Sequence, residues 1–196
     1  MCVVGGSGSC KTTFSLDLIY KMDKTFSEVV FVVKSKDEPY YKHLDSDEIK
    51  RQGVQVFEGL KNMSNHDKSI SKDLKLLKLD DHVTDKRASQ GQIVEAYTRA
   101  RNKGYCSICI AQYFLGPSGV PTGIRLNSNY VVLKRHSHLN SFVRVTQRNY
   151  NRGISMEQIL ELCDSITDPS RLSFLLIDID HPEMYCRKHW DEVVDM

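Results

Sequence analysis

A glycine-rich segment near the start of the sequence has the residues needed to bind phosphate. Backbone N–H groups of such a loop, and the positive end of the helix after it, face the anion. Lys11 can reach the β- and γ-phosphates of a nucleotide, and the Thr12 hydroxyl can hold Mg²⁺. The segment follows the pattern G-x-x-x-x-G-K-[S/T] with one exception, and consists of Gly5, Gly6, Ser7, Gly8, Ser9, Cys10, Lys11, Thr12 and Thr13. The alternative is a Gly/Ser turn that happens to precede Lys-Thr.

The exception is Cys10, which stands where the pattern has its second glycine. A side chain at this position adds a Cβ and a sulfur atom where the backbone must approach phosphate closely. A thiol at a helix N-terminus is also shifted toward the thiolate, which repels an anion. The segment therefore predicts a phosphate-binding origin and leaves present catalytic competence open.

A second group of reactive residues ends the apolar run at residues 74–81. Asp80 would hold the water shell of Mg²⁺ together with Thr12, and Asp81 would orient or deprotonate the attacking water. Two acids after an apolar run are also common in a simple turn, so this pattern depends on the upstream loop for its meaning. Lys75 and Lys78 conflict with a buried strand, because an unpaired buried ammonium is destabilising by several kcal/mol.

The elements around these residues indicate a parallel sheet. A short apolar strand precedes Gly5, and Glu28–Val33 is apolar on both faces, as in a buried parallel strand. Residues 89–103 have helical periodicity and end at Gly104, and the next apolar strand, Tyr105–Ala111, ends in Gln112. We expect Gln112 to sense the γ-phosphate from the carboxyl end of its strand. The alternative is that it only satisfies loop backbone groups.

Further strands are predicted at residues 53–57 (at the sheet edge), 129–133, 142–147 and 173–179, and a helix is predicted from residue 155. Loops are predicted at 34–41 and 115–123, with a polar tail at 181–196. The alternation of strands and helices predicts the α/β class, with one three-layer α/β/α domain over residues 1–196 and a mainly parallel central sheet.

Composition narrows the classes of function. The 196 residues are 40% hydrophobic and 27% charged, which suits one domain with a sizeable core. A net charge of +2 gives no global basic field, so any contact with nucleic acid must be local. No apolar run approaches the ~20 residues of a membrane span, and we expect no signal peptide. Cys106 and Cys109 would point to opposite faces of one strand, so we expect no zinc site there.

The order of these motifs resembles one family. The segments GGSGSCKTT, VVFVV, LKLDD, RNKGYCSICIAQ, NYVVLKR and SFLLIDID are similar to those of the genome-packaging ATPases of poxviruses, giant viruses and virophages. They also resemble the related ATPases of Polinton/Maverick elements, in the FtsK/HerA branch of P-loop NTPases. The resemblance implies hydrolysis of ATP with Mg²⁺ by a homo-oligomeric ring that drives double-stranded DNA into a capsid. It further implies capsid proteins as partners and a place inside the host cell, viral factory or virion.

The resemblance also implies roles for particular residues. Lys11 and Thr12 bind phosphate and metal, Asp80 supports Mg²⁺, Asp81 activates water and Gln112 is the sensor. Arg101 is the first candidate for an arginine that reaches the nucleotide of a neighbouring subunit, with Arg125 and Arg99 as second candidates. The alternative for Arg101 is a solvated cation at a helix end.

Two other functions remain open on the sequence alone. Cys10, the two strand lysines, the short strand before Gly5 and the brief segment between residues 57 and 74 are expected of a decayed viral or transposon copy, or of an N-terminally truncated reading frame. Such a protein would keep the fold and lose hydrolysis. A small P-loop nucleotide kinase would explain the chain length, with a phosphate-clamping lid formed by Arg144, Arg148 and Arg152.

Overall fold

A nine-stranded sheet organises the part of the chain that the structure describes. The structure is a computed structural model and describes residues 1–22, 24–63, 73–80, 87–116, 119–134, 155, 157–158, 161, 173–180, 186–188 and 192–194. Its strands are β1 (Cys2–Val4), β2 (Glu28–Val33), β3 (Val54–Glu58), β4 (Lys75–Asp80), β5 (Tyr105–Ala111), β6 (Tyr130–Leu133), β7 (Leu175–Asp178), β8 (Cys186–Lys188) and β9 (Glu192–Val194). Its helices are α1 (Lys11–Lys21), α2 (Pro39–Leu44), α3 (Asp47–Lys50), α4 (Leu60–Met63), α5 (Arg87–Asn102) and α6 (Thr122–Leu126).

The strand order decides which loops can meet. The order is β3-β2-β4-β5-β1-β6-β7-β8-β9. Strands β3 to β6 in that order pair in parallel, and β7, β8 and β9 are added in antiparallel fashion. β5 lies between β1 and β4, and the carboxyl ends of these parallel strands share one edge of the sheet. The loops that follow β1, β4 and β5 therefore lie at one edge, where ligands bind in open α/β sheets.

Both faces of the sheet are covered by helices. Alternate residues of β4 belong to different apolar clusters, since successive side chains of a strand point to opposite faces. Leu77 packs with Ile93 of α5 on one face, and Leu76 belongs to the cluster of Phe14 from α1 on the other. α2 contributes Tyr41 to a third cluster, with Phe31 of β2. This arrangement confirms the predicted α/β class with a mainly parallel sheet.

The two lysines of β4 are buried and paired. Lys75 Nζ lies 3.4 Å from Glu28 Oε2 of the neighbouring β2, and Lys78 Nζ lies 2.9 Å from Asp80 Oδ2 on the same strand. Pairing removes most of the penalty that an isolated ammonium would carry in the sheet. The conflict expected from the sequence is therefore resolved by partners, and the strand assignment holds.

Two predicted loops are partly helical. Residues 34–41 include the start of α2 at Pro39, and residues 115–123 include the start of α6 at Thr122. Proline is favoured in the first helical turn because its missing N–H would have no helical partner there. Such short helices carry too little periodicity to be recognised in the sequence.

The remaining predictions have mixed outcomes. β3 forms at the sheet edge as expected, whereas β8 and β9 lie within the predicted polar tail and were not anticipated. Asp81, the predicted strand at residues 142–147, most of the helix predicted from residue 155, and Arg144, Arg148 and Arg152 lie outside the described residues. The extent of the domain stays a prediction. No helix among the described residues is long and apolar enough to cross a membrane.

Candidate nucleotide-binding site

A cavity of about 300 Å³ lies at the carboxyl edge of the parallel strands. The loop after β1, the first turn of α1, the end of β4 and the segment after β2 form its walls. Its lining residues are Ser7, Gly8, Cys10, Lys11, Thr12, Thr13, Val33, Lys34, Glu38, Tyr40, Tyr41, Asp80 and Gln112. The two predicted groups of reactive residues therefore share one cavity.

The loop after β1 needs glycine at its first position. The Gly5 N–H donates to the Ala111 carbonyl oxygen at 3.3 Å, which holds the loop against the end of β5. A Cβ on Gly5 would lie 2.5 Å from Ser9 Oγ and 2.6 Å from Lys134 Cβ, so no larger residue fits without movement. Gly8 has a φ of +73°, which a glycine adopts without strain. These constraints fold the segment back over the N-terminus of α1.

The N-terminus of α1 is open to an anion. Cys10 occupies the N-cap position and its side chain makes no capping hydrogen bond. Ser9 Oγ is buried and has no hydrogen-bond partner among the described residues. Uncapped N–H groups at a helix start, together with the positive end of the helix dipole, favour a phosphate. The residues present therefore fit a nucleotide phosphate.

The Lys11 side chain lies over the loop that precedes it. Its Nζ donates to the Gly6 carbonyl oxygen at 2.8 Å. The same side chain lines the cavity, so its ammonium is within reach of a phosphate held there. Binding would exchange this neutral carbonyl for an anionic oxygen, which makes a stronger charge-assisted bond.

Thr12 and Asp80 meet across β5. Thr12 lies in α1, which follows β1, and Asp80 ends β4. Thr12 Oγ1 donates to Asp80 Oδ2 at 3.3 Å, although β5 lies between β1 and β4 in the sheet. A hydroxyl and a carboxylate beside a phosphate site match the oxygen ligands that Mg²⁺ prefers, since Mg²⁺ usually binds few protein groups together with substrate phosphates. This pair therefore fits the predicted metal.

Asp80 is the centre of a buried polar network. Its Oδ2 accepts hydrogen bonds from the Tyr41 hydroxyl and from Lys78 Nζ, and Lys78 Nζ also donates to the Tyr41 oxygen at 2.9 Å. Burial alone raises the pKa of a carboxyl group, but the Lys78 ammonium and the bonds from Tyr41 and Thr12 hold the pKa of Asp80 below its usual value. Burial and the neighbouring Asp80 carboxylate both raise the pKa of Tyr41. Burial lowers the pKa of Lys78, and the attraction of Asp80 opposes that shift. The carboxylate form of Asp80 is therefore favoured, with Lys78 Nζ as a buried partner 2.9 Å away.

Gln112 follows directly on β5 and lines the cavity, between the P-loop-like segment and the end of β4. β5 pairs with β4, with Asp80 opposite Ile110. Gln112 therefore lies where an amide could contact a terminal phosphate. The companion acid Asp81 is outside the described residues and stays a prediction.

Two solved structures of one protein match the fold of this chain over nearly its whole length. The genome packaging NTPase B204 from Sulfolobus turreted icosahedral virus 2, in complex with sulfate, matches with a TM-score of 0.61 and 17% sequence identity, covering 97% of this chain and 96% of that one. The same protein in complex with AMPPCP matches with a TM-score of 0.59 and 13% identity, covering 96% of each chain. This chain has the P-loop NTPase fold.

A second protein has a similar fold over most of this chain. The cytoplasmic domain of EssC matches with a TM-score of 0.50 and 14% identity over 86% of this chain and 45% of that one. These structural matches confirm the fold that the resemblance in the sequence implies. No protein-family model matches the sequence, and no curated protein is significantly similar to it.

Several residues around the glycine-rich segment were not predicted from the sequence. Tyr41, Glu38 and Lys34 line the cavity from the segment after β2. Lys78 was noted only as a conflict, although its spacing of two from Asp80 places both side chains on one face of the strand. That spacing could have predicted the contact between Lys78 and Asp80 from the sequence. No sequence pattern predicts the contact between Tyr41 and Asp80.

Lys134 supports the P-loop from the neighbouring strand. Its backbone N–H donates to the Val4 carbonyl oxygen at 2.8 Å, and its side chain packs against Gly5. The ammonium lies 5.7 Å from the centre of the Phe14 ring. Burial lowers the pKa of Lys134 to about 8. The residue thus adds a partly titratable positive charge behind the loop.

The candidate arginines lie apart from this cavity. Arg101 is exposed in the last turn of α5, just before the amino end of β5, so the length of β5 separates it from Gln112. That length is about 20 Å at ~3.3 Å per residue, beyond the reach of an arginine side chain. Arg99 pairs with Glu95 at 2.6 Å. Arg125 donates from Nη2 to Thr122 Oγ1 at 2.7 Å and stacks over the Phe114 ring. None of the three lines the nucleotide cavity of its own subunit.

Replacing Cys10 by glycine is expected to tighten nucleotide binding by ~3–10-fold, because Cys10 has a φ of 58° and a ψ of 36°. This left-handed conformation is strained for a residue with a Cβ by ~1–2 kcal/mol, and glycine adopts it freely. The affinity for ATP in the presence of Mg²⁺ measures the effect. Cys10→Ala is the matched control, because it removes the sulfur and keeps the strain. Equal gains from both variants would assign the defect to the sulfur, and weaker binding by Cys10→Gly would contradict the prediction.

Proposed function

We propose that the protein is the ATPase subunit of a motor that moves double-stranded DNA into a capsid. The observation that carries the proposal is the convergence of Lys11, Thr12, Asp80 and Gln112 on one cavity, with Thr12 Oγ1 3.3 Å from Asp80 Oδ2. These residues come from three separate strand ends, and their meeting supports a site for the triphosphate of ATP with Mg²⁺.

Each residue has a distinct part in the proposed reaction. The N–H groups at the start of α1 and the Lys11 ammonium bind the phosphates and offset the charge that develops on them. Thr12 and Asp80 would hold Mg²⁺, which supplies charge neutralisation between the phosphates. Gln112 contacts the terminal phosphate and responds to its loss. Asp81 orients the attacking water, as the sequence predicts.

The proposed work on DNA is supported by the structural neighbours. B204 is a genome packaging NTPase, and the match covers nearly all of both chains. In the homo-oligomeric ring that we propose, Arg101 reaches the nucleotide of another subunit, because it is exposed at the sheet edge opposite its own cavity. We infer capsid proteins as further partners, and the host cell, viral factory or virion as the place of action.

Two measurements test the proposal together. We expect ATP to bind in a manner that requires Lys11, and we expect turnover to rise when double-stranded DNA is added to the assembled protein. Rapid DNA-independent turnover by a monomer would contradict the motor. Binding without turnover, with or without DNA, would instead support a decayed copy that has lost hydrolysis. Transfer of phosphate to an acceptor nucleotide would support a nucleotide kinase.

A further inference from the structure

Lys78 places a buried positive charge directly beside the acid of the candidate metal site. Its side chain is fully buried, and its Nζ lies 2.9 Å from Asp80 Oδ2 and 2.9 Å from the Tyr41 oxygen. The ammonium also lies 5.4 Å from the centre of the Phe31 ring and 5.1 Å from that of Tyr41. The Lys78 nitrogen is therefore held against Asp80 out of contact with solvent.

All the described donors to Asp80 converge on one oxygen. Thr12, Tyr41 and Lys78 each donate to Oδ2. The carboxylate is itself only 7% exposed, so the attraction between it and Lys78 is weakly screened. A protonated Lys78 therefore offsets the negative charge that Asp80 offers to a cation in the cavity, which Glu38 also lines.

We propose that Lys78 is a built-in counter-cation for Asp80, which makes nucleotide binding at this site only weakly dependent on Mg²⁺. The inference rests on the proposed function, since it concerns the same nucleotide site. An acid beside a P-loop normally adds a negative charge that favours Mg²⁺. Here the Lys78 ammonium offsets that charge and so weakens the contribution of Mg²⁺, while Lys11 and the N-terminus of α1 still bind the phosphates.

A second ion pair on the same strand supplies the comparison. Lys75 is also buried, and its ammonium lies 3.4 Å from Glu28 Oε2 and over the Tyr105 ring. This pair lies at the amino end of β4, at the sheet edge opposite the cavity. Losing it disturbs the strand in a similar way without changing the charge at the nucleotide site.

We test this inference by measuring ATP affinity in a set of single and double variants. The quantity compared is the magnesium coupling factor, which is the dissociation constant for ATP without Mg²⁺ divided by that with Mg²⁺. We expect Lys78→Met to raise the factor by about tenfold or more, because it leaves the charge of Asp80 uncancelled. Asp80→Asn should lower it, because Lys78 then stands alone. The double variant Lys78→Met with Asp80→Asn should return to the value of the unmodified protein. In both proteins these two positions together carry no unbalanced charge. Lys75→Met should leave the factor unchanged.

The outcomes separate this inference from the proposed function. Removing one partner of a buried pair is strongly destabilising, whereas neutralising both is often tolerated. If Lys78→Met does not fold, the double variant still decides: a factor equal to that of the unmodified protein supports the inference, and one as low as that of Asp80→Asn overturns it. An unchanged factor in folded Lys78→Met also overturns it. If the unmodified protein binds no ATP in either condition, the proposed function fails and this inference fails with it.

Discussion

Replacing Lys11 by alanine is expected to weaken ATP binding by about 100-fold or more. Lys11 is the only lysine of the glycine-rich segment, and its ammonium lines the cavity. A hydrogen bond to a charged group contributes ~1.5–3 kcal/mol, and ~1.4 kcal/mol corresponds to a factor of ten in affinity. Two such bonds to phosphate oxygens give the expected loss. The bond from Lys11 to Gly6 is also lost, which loosens the empty loop.

Titration calorimetry with ATP and Mg²⁺ measures this loss, and thermal unfolding verifies that the variant is folded. Lys21→Ala is the matched control, because Lys21 ends the same helix and its side chain is half-exposed in a pair with Asp17. Surface pairs of this kind contribute little, so its affinity for ATP should match that of the unmodified protein. Unchanged binding by Lys11→Ala would show that the glycine-rich segment does not hold the phosphates.

Replacing Arg101 by alanine is expected to reduce DNA-stimulated turnover by about 10³-fold while leaving ATP affinity intact. An arginine supplied by a neighbouring subunit contributes ~10³–10⁵ to turnover in P-loop enzymes, because it stabilises charge in the transition state. Arg101 is exposed and lies at the sheet edge opposite the cavity, so its own nucleotide is out of reach. Arg99→Ala is the control, since Arg99 lies two residues away in an exposed pair with Glu95.

Mixed assemblies make this prediction specific for action between subunits. Arg101→Ala subunits have an intact site and no arginine, whereas Lys11→Ala subunits have the arginine and no site. Mixing the two inactive variants should restore turnover at interfaces where an intact site faces an intact arginine. Failure to restore turnover in mixed assemblies, or equal losses in Arg99→Ala and Arg101→Ala, would rule out this role for Arg101. Arg125 would then be the next candidate, although its guanidinium is held by Thr122 and Phe114.

The buried parallel strands could be predicted because their signal is local. Glu28–Val33 and Tyr105–Ala111 are apolar on both faces, and the glycine-rich segment has a spacing that few other structures require. The start of α2 was predicted as loop, because polar residues before Pro39 hide a helix of six residues. β8 and β9 were missed because three-residue strands in a polar region depend on a partner strand for their stability.

The sequence alone predicted the chemistry of the candidate site: a phosphate-binding loop, a threonine, an aspartate and a glutamine at the ends of apolar strands. Only the tertiary structure decided how they combine. β5 inserts between the strands of the loop and the acid, which brings Thr12 to Asp80 across 68 positions, and α2 brings Tyr41 to the same carboxylate across 39. Lys78 looked like a defect in the strand and is a partner of the acid. Spacing and periodicity are local properties, whereas strand order and the neutralisation of a buried charge depend on which distant residues the fold places in contact.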